Sequence, residues 1–225
     1  MTQLTEEMFQ IFDQPEFSFK KIKMQHSEAE VAELKDEFKG VWQTWRAVNQ
    51  AVAQNLPTGK FAKVHVESWT NGWNLRDHYW ASYRLQDLAN ANPCVGVMLD
   101  KKQLQVYLMF QHYRSENRKI TPEQYNELLA DIPSWSKQID LQNWYIWNGE
   151  MSSEFDDHTK LSDYLKQTDI QKQFKSELSD ATFLVGKFVF RDQQHDVNME
   201  DFITNAIVDL LPLYEKSVKN KGLLR

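Results

Sequence analysis

The sequence predicts an α+β domain: a central, mostly antiparallel sheet with one long N-terminal helix, a C-terminal helix and several short helices packed on it. Three observations lead there. Between Ser27 and Asn55 apolar residues recur at alternating spacings of three and four, the period of a helix with one buried face. Between Cys94 and Phe110 two runs rich in aliphatic, β-branched and aromatic residues flank the polar stretch Asp100-Lys101-Lys102-Gln103, the pattern of a hairpin. From Phe202 to Val218 the helical stripe returns, so helices bracket a β-rich centre.

Taken in order, residues 1–26 read as an N-terminal arm. Thr5 to Phe12 supplies one or two helical turns, and Phe9, Phe12, Phe17 and Phe19 dock the arm on the body. Ser27 with Glu30 three residues on is a capping box that opens the long helix. Its stripe is Val31, Leu34, Phe38, Val41, Trp45, Val48 and Val52. Full burial of seven such side chains contributes on the order of 10–20 kcal/mol, so the stripe is expected against the sheet. Its heptad-like spacing leaves a homodimer seam as the alternative.

Pro57-Thr58-Gly59 ends the helix, Lys60 to Trp69 is a candidate edge strand, and Asn71-Gly72 is a turn signal. Tyr79 to Leu88 alternates, with Tyr79, Ala81, Tyr83 and Leu85 on one face and His78, Trp80, Ser82, Arg84 and Gln86 on the other. A strand is the first reading there and a short helix the second. In the strand from Leu104 to Phe110 both faces are apolar, which marks a central strand covered on two sides. Thr121-Pro122-Glu123 opens a helix that Pro133 is expected to stop. Trp144 to Trp147 is a short strand turned by Asn148-Gly149, residues 161–178 form two short helices around Thr168-Asp169, and Ala181 to Phe190 is a strand. Asn198 or Asp201 begins the closing helix, where Pro212 is expected to kink or break the chain near Leu210.

Length and composition narrow the functional classes. The chain has 225 residues, 41% hydrophobic and 13% aromatic, without a Gly/Pro/Ser-rich linker, and is expected to be one domain over 1–225. One cysteine excludes an intramolecular disulfide and fits a reducing compartment. With no basic-then-apolar leader and no window of spanning length, a cytoplasmic protein is expected, with no membrane partner. A net charge of −6 gives no global attraction to phosphate, so a nucleic-acid site would have to be a local patch.

Several chemistries lack their residues. The seven glycines are scattered singly, so neither a dinucleotide turn nor a phosphate loop is built. His26, His65, His78, His112, His158 and His195 never fall at zinc spacings, and Gly-x-Ser-x-Gly is absent. No cofactor and no metal site is expected. Cys94, after Pro93 in an apolar run, reads as an inert buried thiol, and Glu154 to His158 as an acidic loop.

What remains is Arg76-Asp77-His78-Tyr79-Trp80 followed by Arg84. The candidate binding residues are Arg76, Asp77, His78, Trp80 and Arg84: a carboxylate beside a histidine, two cations and an indole along one strand. They suit a small anionic ligand or nucleotide in a non-enzymatic binding or regulatory domain. The plainer reading keeps His78 as a half-exposed strand residue and Trp80 as a core anchor.

Asp77-His78-Tyr79 also resembles the start of the glucose-6-phosphate dehydrogenase active-site pattern Asp-His-Tyr-Leu-Gly-Lys. More widely, TEEMFQIF, FSFKKIK, RDHYW and NPCVGVMLDKKQLQVYLMFQHY resemble a family of small uncharacterised bacterial proteins, of Haemophilus and lactic-acid bacteria, that carry that enzyme's label. The dehydrogenase resemblance implies an aspartate at 77 steadying the catalytic histidine and a sugar-phosphate contact at His78. Trp80, Ala81 and Ser82 stand where the pattern has Leu, Gly and Lys. A further similarity, in Leu184-Val185-Gly186-Lys187 and Leu210-Leu211-Pro212-Leu213-Tyr214, is to the DNA-recognition domain of methyl-directed restriction GTPases. It implies a flipped base held by Trp69, Trp73 and Trp80 with Arg76 and Arg84.

Overall fold

A computed structural model describes residues 1–112, 120–148, 158–178 and 181–219, with residues 218 and 219 described by their backbone alone. Helix α1 (Glu6–Gln10) and α2 (Phe19–Gln25) make up the arm, and α3 (Glu28–Asn55) is the long helix. Short strands β1 (His65–Val66), β2 (Thr70–Asn71) and β3 (Asn74–Leu75) lead into β4 (His78–Tyr83), β5 (Pro93–Asp100) and β6 (Gln103–Phe110). After α4 (Pro122–Asn126) and α5 (Ile132–Trp135) come β7 (Trp144–Asn148), β8 (Thr159–Lys160), α6 (Leu161–Lys166), α7 (Thr168–Ser176), β9 (Phe183–Phe190) and α8 (Met199–Lys219). The fold is α+β, as expected.

Seven strands form one sheet in the order β1-β4-β5-β6-β9-β7-β8, every pairing antiparallel. The expected central strand β6 lies mid-sheet between β5 and β9. Strand β4 is extended, which settles the strand-or-helix alternative for its residues, and the chain then closes in a 3-10 turn at Gln86–Leu88. The edge strand expected over 60–69 shrinks to His65–Val66, with an isolated bridge at Phe61 to Leu85.

All the described helices serve one face of the sheet. Tyr79, Ala81 and Tyr83, Val95 and Val97, and Leu104, Val106 and Leu108 merge with Phe9, Phe38, Trp45, Ile132, Ile203 and Leu210 into a single core. The opposite face carries a separate cluster of Trp80, Cys94, Met98, Tyr107, Tyr145, Trp147, Leu184 and Phe188, to which those helices contribute no buried residue.

The capping box forms as read: Glu30 N–H donates to Ser27 Oγ at 3.3 Å, and Ser27 N–H to Glu30 Oε2 at 2.7 Å. Val31, Phe38, Trp45, Val48 and Val52 are buried, with Leu34 and Val41 packed partly against the same core. The stripe thus packs within the chain, which is the first of its two readings.

The stop expected at Pro133 is corrected, and of the kink or break expected near Leu210 the break does not occur. Pro133 does not end a helix but sits in the first turn of α5, where its missing N–H has no helical partner to lose. Pro212 lies within α8, which continues to Lys219. The carbonyl it leaves unbonded belongs to Val208, an exposed residue. Asn198 caps α8, its Oδ1 accepting from Asp201 N–H at 2.9 Å. The Asn148-Gly149 turn, most of the acidic loop at 154–158 and the Val218 side chain lie outside the described residues.

Gly186 is where β6 and β9 approach too closely for a side chain. A Cβ there would lie 2.5 Å from the Val106 carbonyl oxygen and 2.6 Å from Tyr107 Cβ. Gly186→Ala is therefore expected to lower stability by about 1–3 kcal/mol, the usual cost of overpacking. The urea midpoint measures this, and an unchanged midpoint would show that the strands can separate freely.

Candidate functional site

The site is built at the N-terminal end of β4. Strand β3 pairs with β2 through Asn71↔Asn74, and the two-residue turn between them has Gly72 at φ +59°, a conformation glycine adopts without strain. The arm closes the other wall: Leu75 N–H donates to the Phe17 carbonyl at 2.8 Å and Phe19 N–H to the Trp73 carbonyl at 3.2 Å. Between them lies a cleft of about 330 Å³ lined by Glu16, Phe17, Ser18, Asn71, Asn74, Leu75, Arg76, Asp77 and His78.

Three of the five expected residues meet there. Asp77 Oδ1 lies 2.7 Å from His78 Nδ1, and this bond holds the Asp77 carboxyl below its ordinary pKa against the opposing effect of partial burial. Arg76 Nη1 lies 2.7 Å from Glu67 Oε2. Glu16 accepts Phe17 N–H and Ser18 N–H and lies 2.8 Å from Lys21, contacts that keep its carboxyl below the usual value. The cleft thus holds both signs of charge, and its one arginine is already neutralised. That is a poor match to an anionic ligand or nucleotide, which would want an uncommitted cation.

The other two residues sit elsewhere. Trp80 shares His78's face, as alternation requires, but is buried in the helix-free cluster with Nε1 donating to the Tyr107 hydroxyl at 3.1 Å. Arg84 is also buried. Its Nη1 donates to the carbonyls of Ala91 and Pro93, each at 3.2 Å, and Nη2 donates to Gln111 Oε1. It fastens the segment between β4 and β5. Nor are the three indoles gathered for a base: Trp69 packs edge-on against Phe19, Trp80 is sealed, and Trp73 is exposed at the hairpin tip.

Sequence reasoning missed Glu16, Ser18, Asn71 and Asn74, which reach the cleft only because the arm pairs with β3 through the Ser18↔Asn74 bridge. It also missed a polar row behind His78. His78 faces Asp100 across β4 and β5, and Asp100 and Gln103 flank the Lys101-Lys102 turn. Asp100 Oδ1 accepts Lys102 N–H at 2.7 Å and Gln103 N–H at 3.0 Å. Asp100 Oδ2, both amide atoms of Gln103 and Gln105 Oε1 are buried with no partner. Burial raises the Asp100 pKa, opposed by those backbone donors and by the charges of His78 and Lys102. The available signal was two glutamines at alternate positions of an apolar strand.

With that geometry in place, the comparisons can be read. A protein-family model matches residues 4–217, and the chain belongs to that family, whose fold here is α+β. An uncharacterized protein of Haemophilus influenzae is 31% identical over 220 residues, spanning 96% of this chain and 99% of its own length. The expected small bacterial family is thereby shown, and neither match brings a glucose-6-phosphate dehydrogenase function with it. Among the described residues no helix is long and apolar enough to cross a membrane.

Two substitutions test these assignments. Arg84→Met removes a charged donor from three buried acceptors and is expected to cost about 3 kcal/mol or more in urea denaturation. A loss under about 1 kcal/mol would mean those acceptors find other partners. For Asp100 the sign is set by its raised pKa. The folded protein keeps a proton there that the unfolded chain has released, so stability falls as pH rises from the ordinary carboxyl value through the folded one. Asp100→Asn keeps the turn-capping oxygen and removes the buried charge. Its stability relative to the parent should therefore improve between pH 4 and pH 7, by about 1 kcal/mol, the scale of one buried hydrogen bond. A difference independent of pH would contradict the assignment.

Proposed function

We propose that the chain is a cytoplasmic, non-enzymatic ligand-binding or regulatory domain, one unit over 1–225, whose site is the cleft between the arm, the β2–β3 hairpin and the start of β4. The observation that carries this is the convergence of Arg76, Asp77 and His78 with Ser18, Asn71 and Asn74 around one hollow. Among the described residues the side-chain amides of Asn71 and Asn74, the Ser18 hydroxyl and His78 Nε2 make no protein hydrogen bond, so they are available to a guest. Small-ligand pockets are commonly hollows of roughly 300–1,000 Å³ with a few polar groups that fix orientation.

A histidine held by a carboxylate is also the base half of many catalytic sites. Here no hydroxyl or thiol of the described residues is hydrogen-bonded to its free nitrogen, and the pair is assigned to recognition. A sugar-phosphate substrate is disfavoured by charge, since Glu67 occupies Arg76 at 2.7 Å.

A thermal-shift screen of neutral sugars, sugar phosphates and nucleotides tests the reading. A ligand at about 100 times its dissociation constant adds about 2.7 kcal/mol, a rise of roughly 5–10 °C in a domain of this size. Asp77→Ala, at an exposed position, is expected to leave the unliganded Tm nearly unchanged and to weaken that response at least tenfold. A response untouched by Asp77→Ala and Asn74→Ala together, or no response across the screen, would overturn it.

A further inference from the structure

We infer that the ligand of this cleft is a neutral polyhydroxylated molecule, a carbohydrate, and that Trp73 is the platform on which its ring lies. The inference rests on the reading that the cleft is a binding site and adds the ligand's class.

Trp73 is 87% exposed, the most exposed large hydrophobic among the described residues apart from Met1. Indoles are normally well buried, since few side chains gain more from leaving water. The backbone that carries this one is fixed at two points. Trp73 follows Gly72 in the tight turn, and its own carbonyl is tied to Phe19 N–H at 3.2 Å. The residues on either side of the turn, Asn71 and Asn74, both line the cleft, which places Trp73 next in the chain to the cleft wall.

Charge pairing excludes the ionic alternatives. Glu16 is paired with Lys21 and Arg76 with Glu67, so the cleft offers no unmatched lysine or arginine to a phosphate or carboxylate. What is left over is hydrogen-bonding capacity of mixed sense: two carboxamides, each donor and acceptor, the Ser18 hydroxyl, the second Asp77 oxygen and His78 Nε2. A sugar hydroxyl is likewise donor and acceptor at once, and such a set can meet several on one ring. The C–H face of the same ring is apolar, and a flat indole covers it with little loss of conformational entropy. The hollow of about 330 Å³ is of the size for one or two rings.

The test uses the intact protein labelled with nitrogen-15. The Trp73 indole N–H and the Asn71 and Asn74 side-chain amides are followed during titration with D-glucose, D-galactose, N-acetyl-D-glucosamine and maltose. Glucose 6-phosphate and inorganic phosphate serve as charged controls. Saturable shifts of all three signals with at least one neutral sugar are expected, weakened tenfold or more by Trp73→Ala and less than about threefold by Trp73→Phe, which keeps an aromatic face. Unliganded Tm should be the same in all three proteins, because Trp73 buries almost nothing. If only the charged probes move the cleft signals, the carbohydrate inference falls while the binding reading stands. If sugars bind but Trp73→Ala has no effect, the platform is refuted. If no probe moves the cleft, the inference falls as well, and the thermal-shift screen judges the binding reading separately.

Discussion

Two buried hydroxyls fix the frame in which everything else is placed. Tyr79 donates to the Phe38 carbonyl at 2.6 Å, and Tyr83 to the Asn49 carbonyl and side chain at 3.1 and 2.8 Å. Four residues of strand span about 13 Å and eleven of helix about 16.5 Å, so two such bonds lay α3 lengthwise along β4. A strand slipped by one residue would turn both tyrosines to the wrong face and bring Trp80 under the helix. Burial pushes both phenol pKa values upward, so they stay neutral donors and the bonds survive any ordinary pH. The register in turn puts His78 at the strand's end, beside the hairpin and the arm, where a cleft can open.

The same register explains why the site is at the end of the sheet rather than across its face. Strands β5, β6 and β9 are apolar on both sides, yet all the described helices cover one side only. Among the described residues, the other side carries the sheet's own aromatic side chains, with His158 against Trp147 and Phe188. The Tyr107 ring lies against Gly96, where an added Cβ would come within 2.9 Å of Cζ, and its hydroxyl receives the Trp80 indole N–H. Trp147 and Phe188 continue the layer, with ring centroids 5.8 Å from Tyr107 to Trp147 and 5.3 Å from Trp147 to Phe188. Aromatic residues at these separations gain from each other as well as from burial.

Where local chemistry alone decides, the sequence was legible. The Ser27-Glu30 box, the α3 stripe, the β5–β6 hairpin and the Asn198 cap each need only residues close in the chain. Reading failed where the partner is far away. Strand β1 has two residues and exists because β4 pairs with it, and Asn74 joins the site because Ser18 of the arm lies beside it. The expectation that His78, Trp80 and Arg84 form one pocket was right about the shared face of His78 and Trp80, while β4 ends before Arg84. It neglected length, since six strand residues cover about 20 Å, and it neglected what fills the surface between. Trp80's indole N–H and Arg84's guanidinium look available in sequence because Tyr107, Ala91, Pro93 and Gln111 are remote from the motif or hidden in turns.

The ion pairs around the cleft then carry an argument about recognition. A binding site for a charged ligand must keep a charge unmatched in the free protein and bear its desolvation when the ligand arrives. Here the charges of Glu16 and Arg76 are matched in advance by Lys21 and Glu67, at 2.8 and 2.7 Å, and the Asp77 carboxylate is hydrogen-bonded to His78. Such pairs near a surface add little stability, but they stiffen the wall and cancel its long-range field. What survives at short range is direction: carboxamides, a hydroxyl and an imidazole nitrogen held by paired backbone. In the proposed site, direction rather than charge distinguishes neutral ligands by the placement of their donors and acceptors, and the exposed Trp73 indole is the surface proposed to supply the attraction that charge does not.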